Sequence, residues 1–442
     1  MSVTTQDSAF DIVVAGAGIG GICAAGAAAR LGVRVLLVER DAAIGGTGVH
    51  SPVILVCFYR GADGTPVNIG LHRELLPQLY DRDCGTLPTY DERDLARRYD
   101  ELIAAEPTLT TWTGTAVAGA ECAAGAIRRI RLEGGRNQWV SARFFIDSTA
   151  EGNLGAIAGA EYQKGRELDG AMQPATLTFK VTDVDWRGFK ANVPFTTLDS
   201  WDKWTQVQSE LEPYYQALRQ SGKTSNPREN VLCFAYPDNK SLLFNQTRIL
   251  GVDPTDAASM AAAMAEGKKQ IQEFWEAVRQ HPAFGHARIE FISSKLGVRE
   301  GRRIVGDYIL TEQDCLGEAR FEDMVAACAN PLDIHNPTGS GGRMVGIPGS
   351  GYYHIPYRCL RAKGFANLLM GSRCISGTHE AHSSYRIMAP IAAIGQAAGV
   401  AAALAVRLDQ ADVRAINAAQ IRHVLRKAGQ FVQGACEDPG VD

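Results

Sequence analysis

Residues 11–40 read DIVVAGAGIGGICAAGAAARLGVRVLLVER, and this stretch decides the fold. Residues 12–15 predict a short buried strand, an alanine-rich helix follows, and residues 35–38 predict a second apolar strand. The turn between the first strand and the helix has the pattern G-x-G-x-x-G, formed by Gly16, Gly18 and Gly21. Such glycines permit a tight turn, a close approach of backbone to a pyrophosphate, and close packing of helix on strand. The sequence therefore predicts a Rossmann-type α/β fold whose helix start binds a dinucleotide.

Glu39 stands at the carboxyl end of the second predicted strand. A carboxylate at this place accepts hydrogen bonds from both ribose hydroxyls and disfavours a 2′-phosphate, so the pattern favours FAD or NAD over NADP. The sequence holds no second G-x-G-x-x-G turn after a strand. A dedicated NAD(P)H domain is therefore not expected.

The composition is that of a globular enzyme. The 442 residues suffice for two domains that share an interface, with 45% hydrophobic and 21% charged residues. A net charge of −4 gives no reason to expect nucleic acid or an anionic membrane as a partner. The ten cysteines include no C-x-x-C pair, which predicts reduced thiols in a cytoplasmic protein and argues against a metal site or a disulfide reductase. Residues 1–9 show no export signal.

Residues 387–406 carry no charge and have the length of a membrane span, about 20 residues. The segment is mostly alanine and glycine, and it contains Pro390 and Gln396, which suit a lipid-facing surface poorly. A helix that is apolar all round is also expected inside a large core. We therefore predict a buried helix rather than a membrane span.

The pattern of strands and helices divides the chain into a discontinuous nucleotide-binding domain, a helical connection, an α+β substrate domain and two tails. The nucleotide-binding domain is predicted at residues 10–60, 107–161 and 292–432. The connection is predicted at 61–106, the substrate domain at 162–291, and the tails at 1–9 and 433–442. Strands 113–117, 126–132 and 139–146 predict a β-meander beside the parallel sheet.

The other elements follow from local patterns. Apolar spacing predicts helices at 91–106, 199–220 and 254–280, and alternation predicts a strand at 176–181. Residues 339–351 are too rich in glycine for regular structure and are predicted to form a mobile lid.

Several separate blocks resemble the FAD-dependent oxidoreductases of the two-domain glutathione-reductase-like superfamily, which are distantly related to fumarate reductase flavoproteins. The resemblance runs from about residue 11 to residue 429. Besides the glycine turn and Glu39, it rests on GGT at 45–47, IDSTAEG at 146–152, GVREGRR at 297–303, IPYR at 355–358, GSRCIS at 371–376, THEAHSSYR at 378–386 and GQAAG at 395–399. Ala150 and Glu151 depart from the Gly and Asp of the family's block. The match fixes the cofactor better than the substrate.

The resemblance implies FAD as the cofactor. Together with the glycine turn it implies binding by Gly16, Gly18, Ile19, Gly20, Gly21, Glu39, Arg40, Gly45, Gly46, Thr47, His50, Ser51, Val117, Ser148, Thr149, Ala150, Gly371, Arg373, Ser376, Ala389 and Ile391. In some relatives a histidine near the position of His50 carries covalently attached flavin.

Pro390 suits the first turn of a helix, which places a helix start just beyond Arg386. Reduction puts negative charge on the N1–C2=O edge of a flavin, and a helix start with a guanidinium would stabilise that charge. The alternative is that Arg386 caps the helix or pairs with a core carboxylate.

His379 and His382 precede that helix and are candidate acceptors of the substrate proton. The alternative is that each is a hydrogen-bonded histidine that fixes the turn. Arg299 is predicted to bind an anionic group of the substrate or to brace the domain interface. Tyr353 and His354 are predicted to line the substrate pocket.

These features predict an oxidoreductase, a dehydrogenase or oxidase, that transfers a hydride between a small organic molecule and flavin N5. The electron acceptor stays open between oxygen, a quinone and a protein. Two alternatives remain: a flavin monooxygenase that uses externally supplied reductant, and a non-catalytic nucleotide-binding scaffold.

Overall fold

The computed structural model describes residues 10–80, 89–192 and 201–440. The α-helices are α1 (Ile19–Ala29), α2 (Gly46–His50), α3 (Leu71–Leu75), α4 (Glu92–Ala104), α5 (Asn153–Ala158), α6 (Trp201–Gln220), α7 (Ala257–Val278), α8 (Glu312–Leu316), α9 (His379–Tyr385), α10 (Met388–Arg407) and α11 (Ala418–Lys427). The predicted tail 1–9, Cys84, the start of the predicted helix 199–220 and residues 441–442 lie outside the described residues.

The strands alternate with these helices along the chain. They are β1 (Ile12–Ala15), β2 (Val35–Val38), β3 (Leu109–Trp112), β4 (Thr115–Ala123), β5 (Ala126–Gly134), β6 (Gln138–Ser141), β7 (Phe144–Asp147), β8 (Tyr162–Lys164), β9 (Phe179–Thr182), β10 (Cys233–Ala235), β11 (Leu242–Phe244), β12 (Arg288–Ile292), β13 (Arg302–Ile304), β14 (Met324–Cys328), β15 (Leu332–His335), β16 (Gly342–Val345), β17 (Tyr353–Pro356) and β18 (Leu368–Met370).

A parallel five-stranded sheet with the order β18-β7-β1-β2-β3 forms the centre of the molecule. β1, β2, β7 and β18 are buried along their whole length, as expected for parallel strands covered on both faces. The order of the strands reverses at β1, because β2 and β3 follow on one side of it and β7 and β18 on the other. Ligands of such sheets bind at the carboxyl ends of the strands beside that position. The predicted Rossmann-type α/β class is confirmed.

α10 packs along α1 against this sheet. A Cβ on Gly395 would overlap the carbonyl oxygen of Gly20, and a Cβ on Gly399 would overlap that of Ala24, so the two helices touch backbone to backbone. By length and composition α10 could span a membrane, but 94% of its apolar window is buried inside the protein. The predicted buried helix is confirmed, and its small residues serve this close packing.

The strands after α4 differ from the expected three-stranded meander. β4, β5 and β6 form that meander, whereas β3 joins the edge of the parallel sheet. The single strand expected at 139–146 is two strands, because the chain leaves the meander after Ser141. The backbone N–H groups of Arg143 and Phe144 then donate to the carbonyl of Asp11, which starts β7 beside β1.

A second, antiparallel sheet has the order β10-β11-β9-β12. Its apolar residues pack against α7, with the rings of Phe179 and Phe244 stacked 5.1 Å apart and Phe274 beside them. The strand expected at 176–181 begins later, because Thr176 forms an isolated bridge with Gly297 instead. One buried apolar core includes residues of both sheets, and the division into domains stays a prediction.

The expectation of a loop without regular structure at 339–351 is wrong. β16 lies within that range and pairs antiparallel with β15 to form a hairpin. The Arg248 guanidinium donates to the carbonyls of Gly339 and Gly341 at 3.1 and 2.8 Å, which supplies partners that the glycine-rich sequence does not reveal.

Candidate functional site

One cavity of about 1350 Å³ opens at the carboxyl ends of β1 and β2 and reaches the second sheet. Ligand pockets for small molecules hold about 300–1,000 Å³, so this space is large enough for a ligand bigger than a single metabolite. Its wall combines the glycine turn, the end of β2, the start of α10 and residues around β10 and β11. The residues that the sequence assigns to dinucleotide binding can therefore be compared with the wall of this one cavity.

The glycine turn forms a cradle at one end of the cavity. Gly16 has a φ of +96°, and a Cβ there would lie 2.7 Å from the carbonyl oxygen of Ser148. A Cβ on Gly46 would lie 2.8 Å from the Cα of Gly18, so the loop before α2 closes over the turn. Gly18 precedes α1 and gives it no side-chain cap. The unpaired N–H groups at the start of α1 fit a pyrophosphate.

Glu39 is held rigidly on the cavity wall. Its Oε2 accepts from the N–H of Ala17 at 2.7 Å, and its Oε1 accepts from the N–H of Asp41 at 3.0 Å. Burial raises the pKa of the carboxyl group, while these two hydrogen bonds oppose the rise. A carboxylate has about four acceptor positions, so two hydrogen bonds leave room for ribose hydroxyls.

Replacing Glu39 with alanine is expected to weaken FAD binding by about 1–3 kcal/mol, since charge-assisted hydrogen bonds are lost and polar partners stay unpaired. Titration of FAD into stripped protein measures the dissociation constant. Glu133→Ala on the exposed end of β5 is the matched control. An unchanged dissociation constant for Glu39→Ala would contradict the assignment of the ADP end.

The start of α10 lies on the same wall. Ile387 is its N-cap and provides no side-chain hydrogen bond, so the first N–H groups of the helix are free to meet a ligand. Arg386 lies beside it with 12% of its side chain exposed, and its Nη2 donates at 3.2 Å to both the carbonyl and Oδ2 of Asp333. The structure thus combines both readings of Arg386: it pairs with a carboxylate and it lines the cavity.

Six buried polar atoms on this wall have no hydrogen-bond partner within the described part of the chain. They are Ser51 Oγ, Ser148 Oγ, Glu151 Oε2, Arg302 Nε, Arg373 Nε and Arg386 Nε. Leaving such atoms unpaired costs free energy, so they indicate a ligand that pairs with them. The donor set fits a dinucleotide with a polar ring edge near α10.

The structure brings most of the predicted residues to the cavity wall. These are Gly16, Gly18, Ile19, Gly20, Glu39, Arg40, Gly46, Thr47, Ser51, Val117, Ser148, Thr149, Ala150, Arg299, Arg373, Arg386, Ala389 and Ile391. Gly21, Gly45, His50, Gly371 and Ser376 are not on the wall. Gly21 and Gly371 pack beneath the turn, and His50 Nε2 bonds to the carbonyl of Ile44 at 2.9 Å, which turns the ring away from the cavity.

The structure does not bring His379 and His382 to the wall. His379 Nδ1 lies 2.9 Å from Glu300, behind the cavity. His382 is fully buried, and burial lowers its pKa well below the usual value, which keeps the ring neutral. Neither ring reaches a substrate here, so the geometry gives no support to their predicted role as proton acceptor.

Tyr353 and His354 also lie away from the wall. The Tyr353 hydroxyl donates to Ser384 Oγ at 2.9 Å inside the core. His354 Nδ1 accepts from the N–H of Phe321, and its Nε2 lies 3.0 Å from Gln433. Both belong to β17, which pairs with β14 in the interior, so proximity to the glycine-rich segment misled the prediction.

Sequence reasoning missed a charged group at the far end of the cavity. Arg228, Asp333 and His335 line this end, and Asn245 lies with them. Asp333 and His335 alternate along β15, a weak signal of side chains that share one face. Arg228 precedes β10 in a segment without a motif, and the sequence carries no signal for it.

The charges in this group act on each other. Burial would raise the pKa of Asp333, but a hydrogen bond from His335 and the charge of Arg386 hold it well below the usual range. Burial and the charge of Arg299 lower the pKa of His335 to about 3. Burial and the charge of Arg386 lower the pKa of Arg299 to about 9, which leaves it charged at neutral pH.

The family model described as FAD dependent oxidoreductase matches residues 11–425. A search of curated proteins found no match. Similar solved structures include a geranylgeranyl bacteriochlorophyll reductase-like protein from Thermoplasma acidophilum, with 12% identity, 95% of this chain and 82% of that chain covered and a TM-score of 0.46. The flavin-dependent brominase Bmp2 has 10% identity and a TM-score of 0.45, with 95% of this chain and 83% of that chain covered. The p-nitrophenol 4-monooxygenase from Pseudomonas putida has 12% identity and a TM-score of 0.40, with 69% of this chain and 70% of that chain covered.

Proposed function

This chain belongs to the FAD-dependent oxidoreductase family, and from that premise we propose that it transfers a hydride between a small organic substrate and flavin N5. FAD is its cofactor, and the chain is an enzyme. The observation that carries the proposal is the single cavity, which contains the dinucleotide cradle, the start of α10 and an end lined by Arg228 and Arg299. Cofactor and substrate would share one space that protein encloses.

Different residues along this cavity would hold different parts of FAD. The cradle and Glu39 would hold the ADP half of FAD, and the start of α10 with Arg386 would hold the polar edge of the flavin ring. When bound, FAD supplies the two-electron acceptor or donor. Arg386 would place a largely buried positive charge beside that edge, and Asp333 accepts a hydrogen bond that orients its guanidinium.

Two finer assignments remain part of this proposal. The βαβ turn and the blocks at 146–152 and 371–376, which resemble those of the family, support membership in the two-domain glutathione-reductase-like superfamily. The scattered cysteines support a cytoplasmic location, and the nine cysteines in the described ranges form no disulfide.

The purified protein is expected to carry one FAD per chain, bound without a covalent link. His50 points to the carbonyl of Ile44 rather than into the cavity, so it has no access to the flavin. Acid or heat should therefore release the yellow colour into the supernatant. Flavin that stays on the precipitated chain would overturn this expectation.

Anaerobic mixing with candidate substrates tests the function. Bleaching of the flavin without NAD(P)H supports hydride transfer from substrate. Oxygen use that requires a separate reductase, with no anaerobic bleaching, would instead support the monooxygenase. A protein that shows neither response would act as a nucleotide-binding scaffold, and the proposal would be wrong.

A further inference from the structure

Four arginines lie close together at the end of the cavity opposite the glycine cradle. Arg228, Arg299 and Arg386 line the wall, and Arg248 lies directly behind them. Arg228, Arg248 and Arg299 are 7%, 5% and 8% exposed. Their charges are close enough to lower one another's pKa, in addition to the effect of burial. Such a concentration of buried positive charge needs a negative partner.

The protein supplies that partner to two of the four. Arg386 pairs with Asp333 at 3.2 Å, and Arg248 lies 4.0 Å from Glu229. Within the described ranges, the side chains of Arg228 and Arg299 bond only to main-chain carbonyls: Arg228 Nε to Asn230 at 3.1 Å, and Arg299 Nη1 to Pro174 at 2.7 Å.

Among residues 10–80, 89–192 and 201–440, no carboxylate lies within ion-pair distance of Arg228 or Arg299. Each guanidinium also keeps N–H groups that no described residue accepts, on side chains that line the cavity. Asp333 acts on both guanidiniums, and Glu229 acts on Arg228, only from beyond that distance, and each carboxylate already lies beside another arginine. Arg228 and Arg299 therefore face the cavity without an ion-pair partner of their own among the described residues. An anion that enters from solvent would match their charge.

The pyrophosphate of FAD is not expected to be that anion, because the glycine cradle at the carboxyl end of β1 would hold it. The arginine end is built instead by the segments around the second sheet. The same wall carries Asn245 and the apolar Leu232, Phe234, Met260 and Met264. A ligand in this cavity would therefore have both guanidinium groups and hydrocarbon surface within the same space.

Resting on the proposed function, we propose that the substrate is a small organic carboxylate whose carboxylate group is bound by Arg228 and Arg299. The planar guanidinium fork matches the two oxygens of a carboxylate. The apolar side chains beside it would hold the carbon skeleton and direct it toward the flavin edge at Arg386.

His335 is not available to bind the substrate carboxylate. Its Nδ1 lies 3.1 Å from Arg248 Nη2, which can only donate, so Nδ1 accepts and carries no proton. Its Nε2 lies 3.3 Å from Asp333 Oδ2 and donates to it. Both ring nitrogens are therefore occupied, and the anion is left to the two unmatched guanidiniums.

The test is a calorimetric titration of the oxidised, FAD-loaded protein with malonate, with the uncharged malonamide and with inorganic phosphate. The visible flavin spectrum is followed in parallel, since an anion beside the ring perturbs it. We expect malonate to bind and perturb the spectrum, and malonamide to do neither. Equal binding of malonate and malonamide, or tighter binding of phosphate than of malonate, would overturn the proposal.

Arg228→Gln and Arg299→Gln are each expected to weaken malonate binding by about 10-fold or more, the effect of losing a hydrogen bond to a charged group. Lysine at either position should restore part of the affinity. Arg288→Gln on the exposed face of β12 is the matched control and should bind malonate normally. Normal malonate binding in both glutamine variants would overturn the proposal.

Separate measurements report on folding and on the cofactor site. Removal of an unmatched buried charge should leave the thermal midpoint of either glutamine variant equal or higher, which a purely structural arginine would not allow. FAD content and bleaching by dithionite report on the cofactor site. A protein that holds FAD and bleaches but binds no malonate would refute the carboxylate and leave the hydride-transfer proposal standing. If FAD is absent, hydride transfer is refuted, and calorimetry with malonate still decides the arginine site.

Discussion

Replacing Arg386 with alanine is expected to lower the reduction potential of bound FAD and to slow its reduction by substrate about 10²–10³-fold. The substitution removes a largely buried positive charge beside the uncapped start of α10, and it leaves the Asp333 carboxylate without its arginine partner. Both changes disfavour additional electrons on the neighbouring ring. Equilibration with a reference dye measures the potential, and anaerobic stopped-flow absorbance measures the rate.

Two variants define this effect. Arg386→Lys keeps the charge and should retain most of the potential while losing part of the rate, because lysine lacks the planar fork. Arg407→Ala removes an arginine from the opposite end of the same helix and should leave the potential unchanged. An unchanged potential in Arg386→Ala would reduce Arg386 to a structural partner of Asp333.

Gly395→Ala is expected to destabilise the protein by about 3 kcal/mol or more, or to prevent folding. The added Cβ would overlap the carbonyl oxygen of Gly20, and both atoms belong to helices that are buried along their length. Because Gly20 lies in the dinucleotide turn, surviving protein should also bind FAD more weakly. Urea unfolding and FAD titration measure the two losses.

Gly346→Ala is the matched control for this variant. It makes the same chemical change at an exposed glycine whose Cβ would meet no atom within 4 Å. Its free energy of unfolding should stay within about 0.5 kcal/mol of the parent, as for ordinary surface substitutions. Equal stability of the two variants would show that α1 and α10 are not in backbone contact.

The parts of the site that depend on local sequence were predictable. Short runs of neighbouring residues predict the glycine turn, the position of Glu39 and the helix start after Arg386. The structure places all three on the cavity wall. The class of fold followed for the same reason, since one βαβ unit sets the direction of the parallel sheet.

The parts that depend on distant packing were not predictable. His379 and His382 lie on α9, and His379 contacts Glu300, a residue far away in sequence, rather than the cavity. Tyr353 was misplaced because the partner of β17 is β14, a pairing that no local pattern states. Arg228 was missed because nothing in its local sequence shows that it lines the same cavity as the start of α10.

The β15–β16 hairpin is fastened to its surroundings by charged and polar groups. Arg343 pairs with Glu312, Arg248 donates to the backbone of Gly341, and Glu229 accepts from the same residue. Contacts of this kind weaken as ionic strength rises, whereas the apolar core does not weaken in that way. Amide hydrogen exchange in residues 336–345 should therefore accelerate in added salt while exchange in α10 stays slow. Because Asp333, His335 and Met344 of this hairpin line the cavity, added salt would loosen part of the cavity wall while the rest of the fold stays stable.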